Sequence, residues 1–159
     1  ARGLAAPEMQ ILSETSAAGY VNFMRDSISN GVGRLAGDGL TRRDLQAIAR
    51  EQSHPWDFAK DFENAAVVAP ITRAGAFAVA GQRIALTQNG ETRQDAALSD
   101  MIFNVAELIA YLSRFYHLQP GDLLYTGTPA GVGPVAPGDR LAGTIAGLTP
   151  VELTIGPAE

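Results

Sequence analysis

Apolar side chains recur at helical spacing in two stretches of the chain. Residues 41–52 carry an apolar stripe, and Thr41 with Asp44 three positions on resembles a capping box, so a helix is predicted there. Residues 99–116 repeat apolar positions three and four apart along one face, and Ser99 is a suitable N-cap. We interpret that face as one that packs in the core.

Short apolar runs bounded by turn residues predict strands in the rest of the chain. These strands are predicted at 67–71, 77–79, 84–88, 92–94, 123–125, 139–145 and 151–155. Asn89-Gly90 is the strongest hairpin signal, since both residues accept the positive φ angles of a tight turn. Two helices among many short strands predict one α+β domain over residues 1–159, with a predominantly antiparallel or mixed sheet.

The first forty residues have the weakest pattern. Met9, Ile11 and Leu12 fit a strand, and residues 20–28 fit either a strand or a short helix. Four glycines in residues 30–39 predict turns around a short segment. The chain begins without Met, which is compatible with a fragment or a processed chain.

Composition and charge narrow the classes of function. The net charge is −5, from 12 basic and 17 acidic residues without a basic run, which weighs against nucleic acid and an anionic membrane surface as partners. The absence of cysteine excludes disulfides and thiolate metal sites. No apolar run approaches the roughly 20 residues that span a bilayer, and the N-terminus lacks the apolar core of a signal peptide, so a cytoplasmic location is expected.

A glycine-rich stretch at 126–134 (TGTPAGVGP) follows the predicted strand at 123–125. Its glycines allow backbone amides to approach a ligand, and its prolines stiffen the path of the chain. The hydroxyls of Thr126 and Thr128 beside free amides suit a carboxylate or an enolate oxygen. The alternative interpretation is a tight connection between two strands.

Polar residues in and after the first helix are further candidates. Arg43 and Gln46 are three positions apart, so they share a helix face on which they could form a polar clamp. Lys60 stands between Trp56 and Phe62, and we expect Trp56 to anchor this loop in the core. A partly buried lysine there would hold an anion. A solvated helix face and a surface lysine are the alternatives.

Three blocks of sequence follow one another in a distinctive order. They are TRRDLQ (41–46) with PWDFAKDF (55–62), SDMIFNVAELIAYLSRF (99–115) with LQPGDLLYTGTPAGVGPV (118–135), and PGDRLAGTIAGL (137–148). In this order and spacing they resemble the catalytic domain of the fumarylacetoacetate hydrolase family, in particular its acylpyruvase and fumarylpyruvate hydrolase branch. The resemblance extends over residues 37–155, while residues 1–38 are divergent or incomplete.

The resemblance implies a β-rich roll of mixed sheets that assembles as a homodimer or a higher oligomer. It also implies Mg²⁺ or Mn²⁺, held by two glutamates and an aspartate, which polarises a small β-diketo acid, while a His–Glu pair activates the water that cleaves a C–C bond. By position in the matching blocks, the resemblance assigns catalytic roles to Lys60 and Gln46. It assigns substrate binding to Arg43, Thr126, Gly127 and Thr128.

The metal ligands depart from the family pattern. Counting back without gaps places the Glu-x-Glu pair of the family at Glu8 and Gln10. The aspartate falls on Gly39, with Asp38 one position early. Glu8, Gln10 and Asp38 are therefore the candidate metal ligands.

The His–Glu pair is also missing from this sequence, since neither His54 nor His117 is followed by glutamate three residues later. We interpret both histidines as loop or turn residues. Three functions stay open: a metal-dependent hydrolase of acylpyruvate type, a relative that binds a keto acid or an active partner subunit without catalysis, and a relative with decarboxylase, tautomerase or cyclase chemistry.

Overall fold

The computed structural model describes residues 13–23, 33–73, 81–119 and 121–156. The strands are β1 Ser13–Phe23, β2 Gly33–Arg42, β3 Ala66–Val68, β4 Thr72–Arg73, β5 Arg83–Gln88, β6 Glu91–Ala97, β7 Leu123–Tyr125, β8 Gly133–Val135, β9 Arg140–Ile145 and β10 Val151–Thr154. The helices are α1 Arg43–Glu51, α2 Asp57–Lys60 and α3 Val105–Leu112, with a 3-10 turn at Leu98–Asp100. The predicted α+β class, with two principal helices and antiparallel sheets, is confirmed.

The first sheet is organised around β1. Its strand order is β3-β2-β1-β7, with β4 also paired to β2 and β8 also paired to β1. The strands β7 and β8 therefore share one edge of β1, and the chain between them is the glycine-rich stretch. A β-bulge between Ser16 and Gly19 interrupts the pairing of β1 with β2.

The second sheet has the order β10-β9-β5-β6 and carries the predicted hairpin. Asn89 and Gly90 have φ angles of 54° and 85°, which is the combination that a type I′ turn requires. The return strand β6 runs to Ala97 and is longer than the predicted 92–94. The strands predicted at 84–88, 123–125, 139–145 and 151–155 are confirmed to within one residue at each end.

The hydrophobic core lies on one face of this second sheet. Alternate residues of β5 and β9 are buried, as expected for strands with one face in the core. The core cluster consists of Ile84, Leu86, Leu98, Val135, Leu141, Ile145 and Leu148. Val135 of β8 belongs to this cluster, so the end of the glycine-rich stretch is fixed to the core.

The start of the first helix differs from the prediction. Thr41 is fully buried in β2 and does not cap α1, which begins at Arg43 without a side-chain cap. The reason is pairing with β1, because Ser13 lies opposite Arg42 and holds the chain extended up to that residue. Asp44 binds the Arg42 guanidinium at 2.9 Å and 2.5 Å instead of closing a capping box.

The helix α3, predicted over 99–116, is shorter than predicted, and its apolar face is half-buried, with Val105 packed against the core cluster. Its N-cap is Asn104, which forms a capping box with Glu107, whereas Ser99 lies in the 3-10 turn. No residue of α3 is buried, and Ile102 just before it is 90% exposed. Periodicity identified an apolar face, but it does not determine what covers that face.

Three smaller predictions are wrong, and two others fall on residues that the structure does not describe. Trp56 is 48% exposed and does not anchor its loop in the core, and β3 ends at Val68, short of residue 71. Residues 33–39, predicted as turns, belong to β2, because pairing with β1 and β3 overrides the glycines. The strands predicted around Met9 and at 77–79 lie outside the described residues. Among the helices of the described ranges, none is both long and apolar enough to cross a bilayer.

Candidate functional site

A cavity of about 630 Å³ lies between the glycine-rich stretch and the end of the β5–β6 hairpin. The loop Thr126 to Ala130 forms one wall. The apolar lining of the cavity includes Met101, Ile102 and Phe103. A cavity lined by a polar loop and by apolar side chains suits a small ligand with an anionic head and a less polar arm.

The loop is held in an unusual backbone path. Gly127 and Gly131 have φ angles of 99° and 104°, a region that L-residues with a Cβ rarely adopt. From β6, the amide nitrogen Nε2 of Gln94 lies 3.1 Å from Oγ1 of Thr128 and 2.7 Å from the carbonyl oxygen of Pro129. The structure thus brings together the predicted residues Thr126, Gly127 and Thr128 on the wall of one cavity.

Two carboxylates line the same cavity, but both have partners. Asp95 accepts a hydrogen bond from the Arg83 guanidinium at 2.8 Å. Asp100 accepts one from the backbone amide of Ala97 at 3.1 Å. These interactions offset part of the repulsion that a carboxylate ligand would meet there.

The other predicted residues form a second cluster, where β2 leads into α1 and α2. The Lys60 ammonium donates to Oγ1 of the buried Thr41 at 2.6 Å. Arg43 donates from a terminal guanidinium nitrogen to Oε1 of Gln46 at 2.6 Å, so the two side chains meet on one helix face. Arg43, Gln46 and Lys60 are therefore grouped, although none of them lines the cavity described above.

The surroundings of Lys60 and of the neighbouring Asp44 shift the pKa of both groups. Lys60 is exposed as a residue, but desolvation of its ammonium, which contacts Thr41, lowers its pKa, and the positive charge of Arg43 lowers it further. The hydrogen bond from Arg42 lowers the pKa of the Asp44 carboxyl, so Asp44 is committed to neutralising Arg42. The positive charges of Lys60 and Arg43 lie close enough to interact, and both would attract an anion bound beside them.

The strand register shows how far the Lys60 cluster lies from the glycine-rich stretch. Glu14 of β1 lies opposite Thr41 on one side and opposite Pro134 on the other. Neighbouring strands are about 4.8 Å apart, so the partner of Lys60 stands roughly 10 Å from the end of the glycine-rich stretch. The two groups lie on neighbouring parts of one sheet.

The candidate metal ligands lie largely outside the part of the chain that the structure describes. Within residues 13–23, 33–73, 81–119 and 121–156, no three His, Asp or Glu side chains lie together as metal ligands would. Gly39 pairs with Ser16 and Ala66 in the sheet and offers no side chain, and Asp38 pairs with Val67. Glu8 and Gln10 lie outside the described residues. We therefore derive no chemical step through a metal.

Gln94 is the functional candidate that sequence reasoning missed. Counting back from the Asn89-Gly90 turn places Arg93, not Gln94, opposite Leu86. In the structure a β-bulge makes Gln94 the partner of Leu86, so Gln94 shares the core face of the hairpin. An inward-facing glutamine has no signal in the sequence unless the bulge is known.

Residues 32–156 match the family described as fumarylacetoacetate (FAA) hydrolase, C-terminal, and the chain belongs to this family. A fumarylpyruvate hydrolase of Ralstonia is 49% identical over 127 residues, which are 80% of this chain and 66% of that protein. The predicted family, including its fumarylpyruvate hydrolase branch, is thereby confirmed.

Two further relatives differ in their chemistry. The crystal structure of a fumarylpyruvate hydrolase from Pseudomonas aeruginosa, in complex with Mn²⁺ and pyruvate, superimposes with a TM-score of 0.83 and 35% identity, covering 98% of this chain and 70% of that one. An oxaloacetate tautomerase of Escherichia coli is 41% identical over 110 residues, which are 68% of this chain and 50% of that protein. The matched part of the chain spans 66% of the Ralstonia relative and 50% of the Escherichia coli relative.

Proposed function

We propose that the protein is a hydrolase that cleaves a C–C bond in an acylpyruvate, a fumarylpyruvate-like 2,4-diketo acid. The observation that carries this proposal is the cavity, which is lined by Thr128, the glycine-rich loop and apolar side chains. Its volume of about 630 Å³ exceeds what a pyruvate group needs, so an acyl arm also fits. The Ralstonia relative, a fumarylpyruvate hydrolase, supports the same substrate class.

In this proposal the loop binds the keto-acid head. The Thr128 hydroxyl donates to a carboxylate or enolate oxygen, while Thr126 and Gly127 contribute the adjoining part of the wall. The substrate would extend toward Lys60 and Arg43, whose positive charges stabilise the enolate of the leaving pyruvate. Gln46, which is bound to Arg43, keeps the guanidinium oriented.

A divalent metal, Mg²⁺ or Mn²⁺, is part of the proposal because a related fumarylpyruvate hydrolase contains Mn²⁺. Such an ion supplies Lewis-acid polarisation of a carbonyl oxygen when bound. Its ligands would have to come from residues outside the described ranges, such as Glu8 and Gln10. A cytoplasmic location is likewise an expectation from the sequence.

We also propose a homodimer, on the basis of the apolar surface around α3. Large apolar side chains that a single chain leaves exposed there include Ile102, Phe103, Tyr111, Phe115 and Tyr116. Tyr111 and Phe115 contact each other, with ring centroids 5.3 Å apart, and exposed aromatic side chains are typical of a protein interface. Sedimentation of the protein at micromolar concentration as a single chain would contradict the dimer.

Oxaloacetate tautomerase activity is the second candidate, and Lys60 favours it. Tautomerisation needs a group that moves a proton between carbon and oxygen, without activation of water. The Lys60 ammonium has a lowered pKa, so it gives up its proton more readily than an ordinary lysine. The Escherichia coli relative is an oxaloacetate tautomerase.

One experiment separates these functions. The protein is incubated with fumarylpyruvate and, separately, with enol-oxaloacetate, with and without Mg²⁺ or Mn²⁺, and the products are followed by NMR. Hydrolysis consumes one water and yields fumarate and pyruvate, whereas a tautomerase only accelerates the conversion of enol-oxaloacetate to its keto form. Binding of pyruvate without either conversion selects the non-catalytic relative. If neither substrate is converted and no keto acid binds, the proposed function is wrong.

A further inference from the structure

Gln94 is a buried polar side chain that reaches from β6 to the glycine-rich loop. Only 2% of Gln94 is exposed. Its Nε2 lies 2.7 Å from the carbonyl oxygen of Pro129 and 3.1 Å from Oγ1 of Thr128. The bulge at Arg93 turns Gln94 to the inner face of the hairpin, which is the kind of re-aiming that bulges produce.

The chemistry of the loop fixes which end of the Gln94 amide faces it. The carbonyl oxygen of Pro129 can only accept a hydrogen bond, so the amide nitrogen must lie against it. The amide oxygen, Oε1, is then buried without a hydrogen-bond donor among the residues that the structure describes. Rotating the amide by 180° would place Oε1 of Gln94 against the carbonyl oxygen of Pro129, and both are hydrogen-bond acceptors. Gln94 is therefore held as a donor toward the loop.

This orientation determines what the Thr128 hydroxyl can do. The hydroxyl has one proton to donate, and its oxygen already accepts from Gln94. Its proton is consequently directed to some other acceptor, and Thr128 lines the cavity. We propose that Gln94 is a positioning residue that makes Thr128 a hydrogen-bond donor to a carboxylate or enolate oxygen bound in that cavity. This inference rests on the proposed function, since that function supplies the keto acid.

Gln88 provides a matched comparison, because it supports the same stretch without touching Thr128. It is a buried glutamine of the same hairpin, and its Nε2 donates to the carbonyl oxygen of Pro134 at 3.2 Å and to Asp139 at 2.7 Å. Both glutamines therefore stabilise the stretch. Only Gln94 also determines the direction of a hydroxyl on the cavity wall.

The test compares pyruvate affinity and thermal stability in the whole protein, by calorimetric titration and thermal denaturation, in the presence of Mn²⁺. In Gln94→Glu an oxygen replaces Nε2, and it accepts the Thr128 proton whether the new carboxyl is charged or neutral. Pyruvate affinity should fall by about 10- to 100-fold, the effect of losing a hydrogen bond to a charged group. Gln94→Met leaves the hydroxyl free to rotate, so its affinity should lie between those of wild type and Gln94→Glu.

Two controls separate positioning from general support of the fold. Gln88→Met should lower the melting temperature at least as much as Gln94→Met but leave pyruvate affinity within about twofold of wild type, which is close to thermal energy. In a Thr128→Val background, which has no hydroxyl to direct, Gln94→Glu should weaken pyruvate binding no further. Thr128→Ser keeps the hydroxyl and should keep the sensitivity to Gln94→Glu.

The outcomes are distinct. Equal losses of affinity in the Gln88 and Gln94 variants, or additive losses in the double variant, overturn the positioning role while leaving the proposed function intact. Wild-type protein that binds no pyruvate overturns both. The expected pattern of affinities without any cleavage of fumarylpyruvate supports the role of Gln94 and contradicts only the proposed hydrolase.

Discussion

Gly131 of the glycine-rich loop is packed against the backbone of Arg93 in β6. A Cβ atom at position 131 would overlap the carbonyl oxygen of Arg93 and lie 3.0 Å from Cγ of Gln94. The φ angle of 104° at Gly131 is itself unfavourable for any residue with a Cβ. The loop therefore rests on the bulged strand through a contact that only glycine permits.

Gly131→Ala should consequently destabilise the protein by about 2–4 kcal/mol, the combined cost of a strained φ angle and an overpacked contact. Chemical denaturation measures this change. Gly133→Ala is the matched control, because a Cβ there meets open space and Gly133 has no positive φ angle. Its free energy of unfolding should stay within about 1 kcal/mol of wild type. Similar losses in the two variants would show that the contact with Arg93 is not the cause.

Asp139 should determine part of the acid stability of the protein. Its carboxylate accepts from the Ala136 amide at 2.8 Å, from Asn89 Nδ2 at 2.7 Å and from Gln88 Nε2 at 2.7 Å. These donors, the Ala136 amide above all, hold the pKa of Asp139 below its usual value. A lowered pKa in the folded state gives stability that is present above the unfolded pKa and lost as the pH falls through the folded one.

Asp139→Asn should lower the free energy of unfolding at pH 7 by about 1–2 kcal/mol, since an amide group then faces donors. The difference from wild type should shrink as the pH falls below the unfolded pKa of about 3.8 toward the lower folded pKa of Asp139. Glu152→Gln, at an exposed position of β10, is the control, and it should leave the loss of unfolding free energy at low pH unchanged. A constant difference between Asp139→Asn and wild type across pH 2–7 would contradict this assignment.

The sequence predicted best what depends on neighbours along the chain. Residues 84–88 and the Asn89-Gly90 turn were found because alternation and positive φ angles are local properties. The predicted cap at Thr41 failed because a distant strand, β1, holds that residue in a sheet. Gln94 was missed for a related reason, since a single bulged residue exchanges which side chain faces the core. Local patterns thus located the loop of the site, whereas its support came from contacts across the sheets.

Lys60 should bind the anionic ligand and impose a pH dependence on stability. Lys60→Met removes the positive charge near Thr41, so pyruvate affinity should fall by about tenfold or more, as for a lost charge-assisted hydrogen bond. Lys60→Arg, which keeps the charge, should retain more of the affinity than Lys60→Met. Isothermal titration of pyruvate measures both. Unchanged affinity in Lys60→Met would remove Lys60 from the site.

The pH dependence follows from the direction of the pKa shift. Burial and Arg43 lower the pKa of folded Lys60, so between that pKa and the ordinary value of 10.5 the unfolded chain binds more protons. The free energy of unfolding should therefore rise with pH through that window, and Lys60→Met should abolish this part of the rise. Denaturation curves between pH 7 and 11 check the sign. If the free energy of unfolding instead falls as the pH rises through this window, and Lys60→Met removes that fall, the predicted sign is wrong.

Position 39 should decide how strongly the protein binds a divalent metal. The family pattern places an aspartate there, and this chain has Gly39, with Asp38 one residue earlier in β2. Successive positions of a strand face opposite sides of a sheet, so position 38 is not a substitute for position 39.

We therefore expect the unaltered protein to bind Mg²⁺ and Mn²⁺ weakly. Gly39→Asp should strengthen this binding by about tenfold or more, because the number of carboxylate ligands governs the affinity for hard cations. Calorimetric metal titration measures this, with Asp38→Asn as a control that should change little. A tight stoichiometric site in the unaltered protein, lost in Asp38→Asn, would show that Asp38 has taken over the ligand role despite its register.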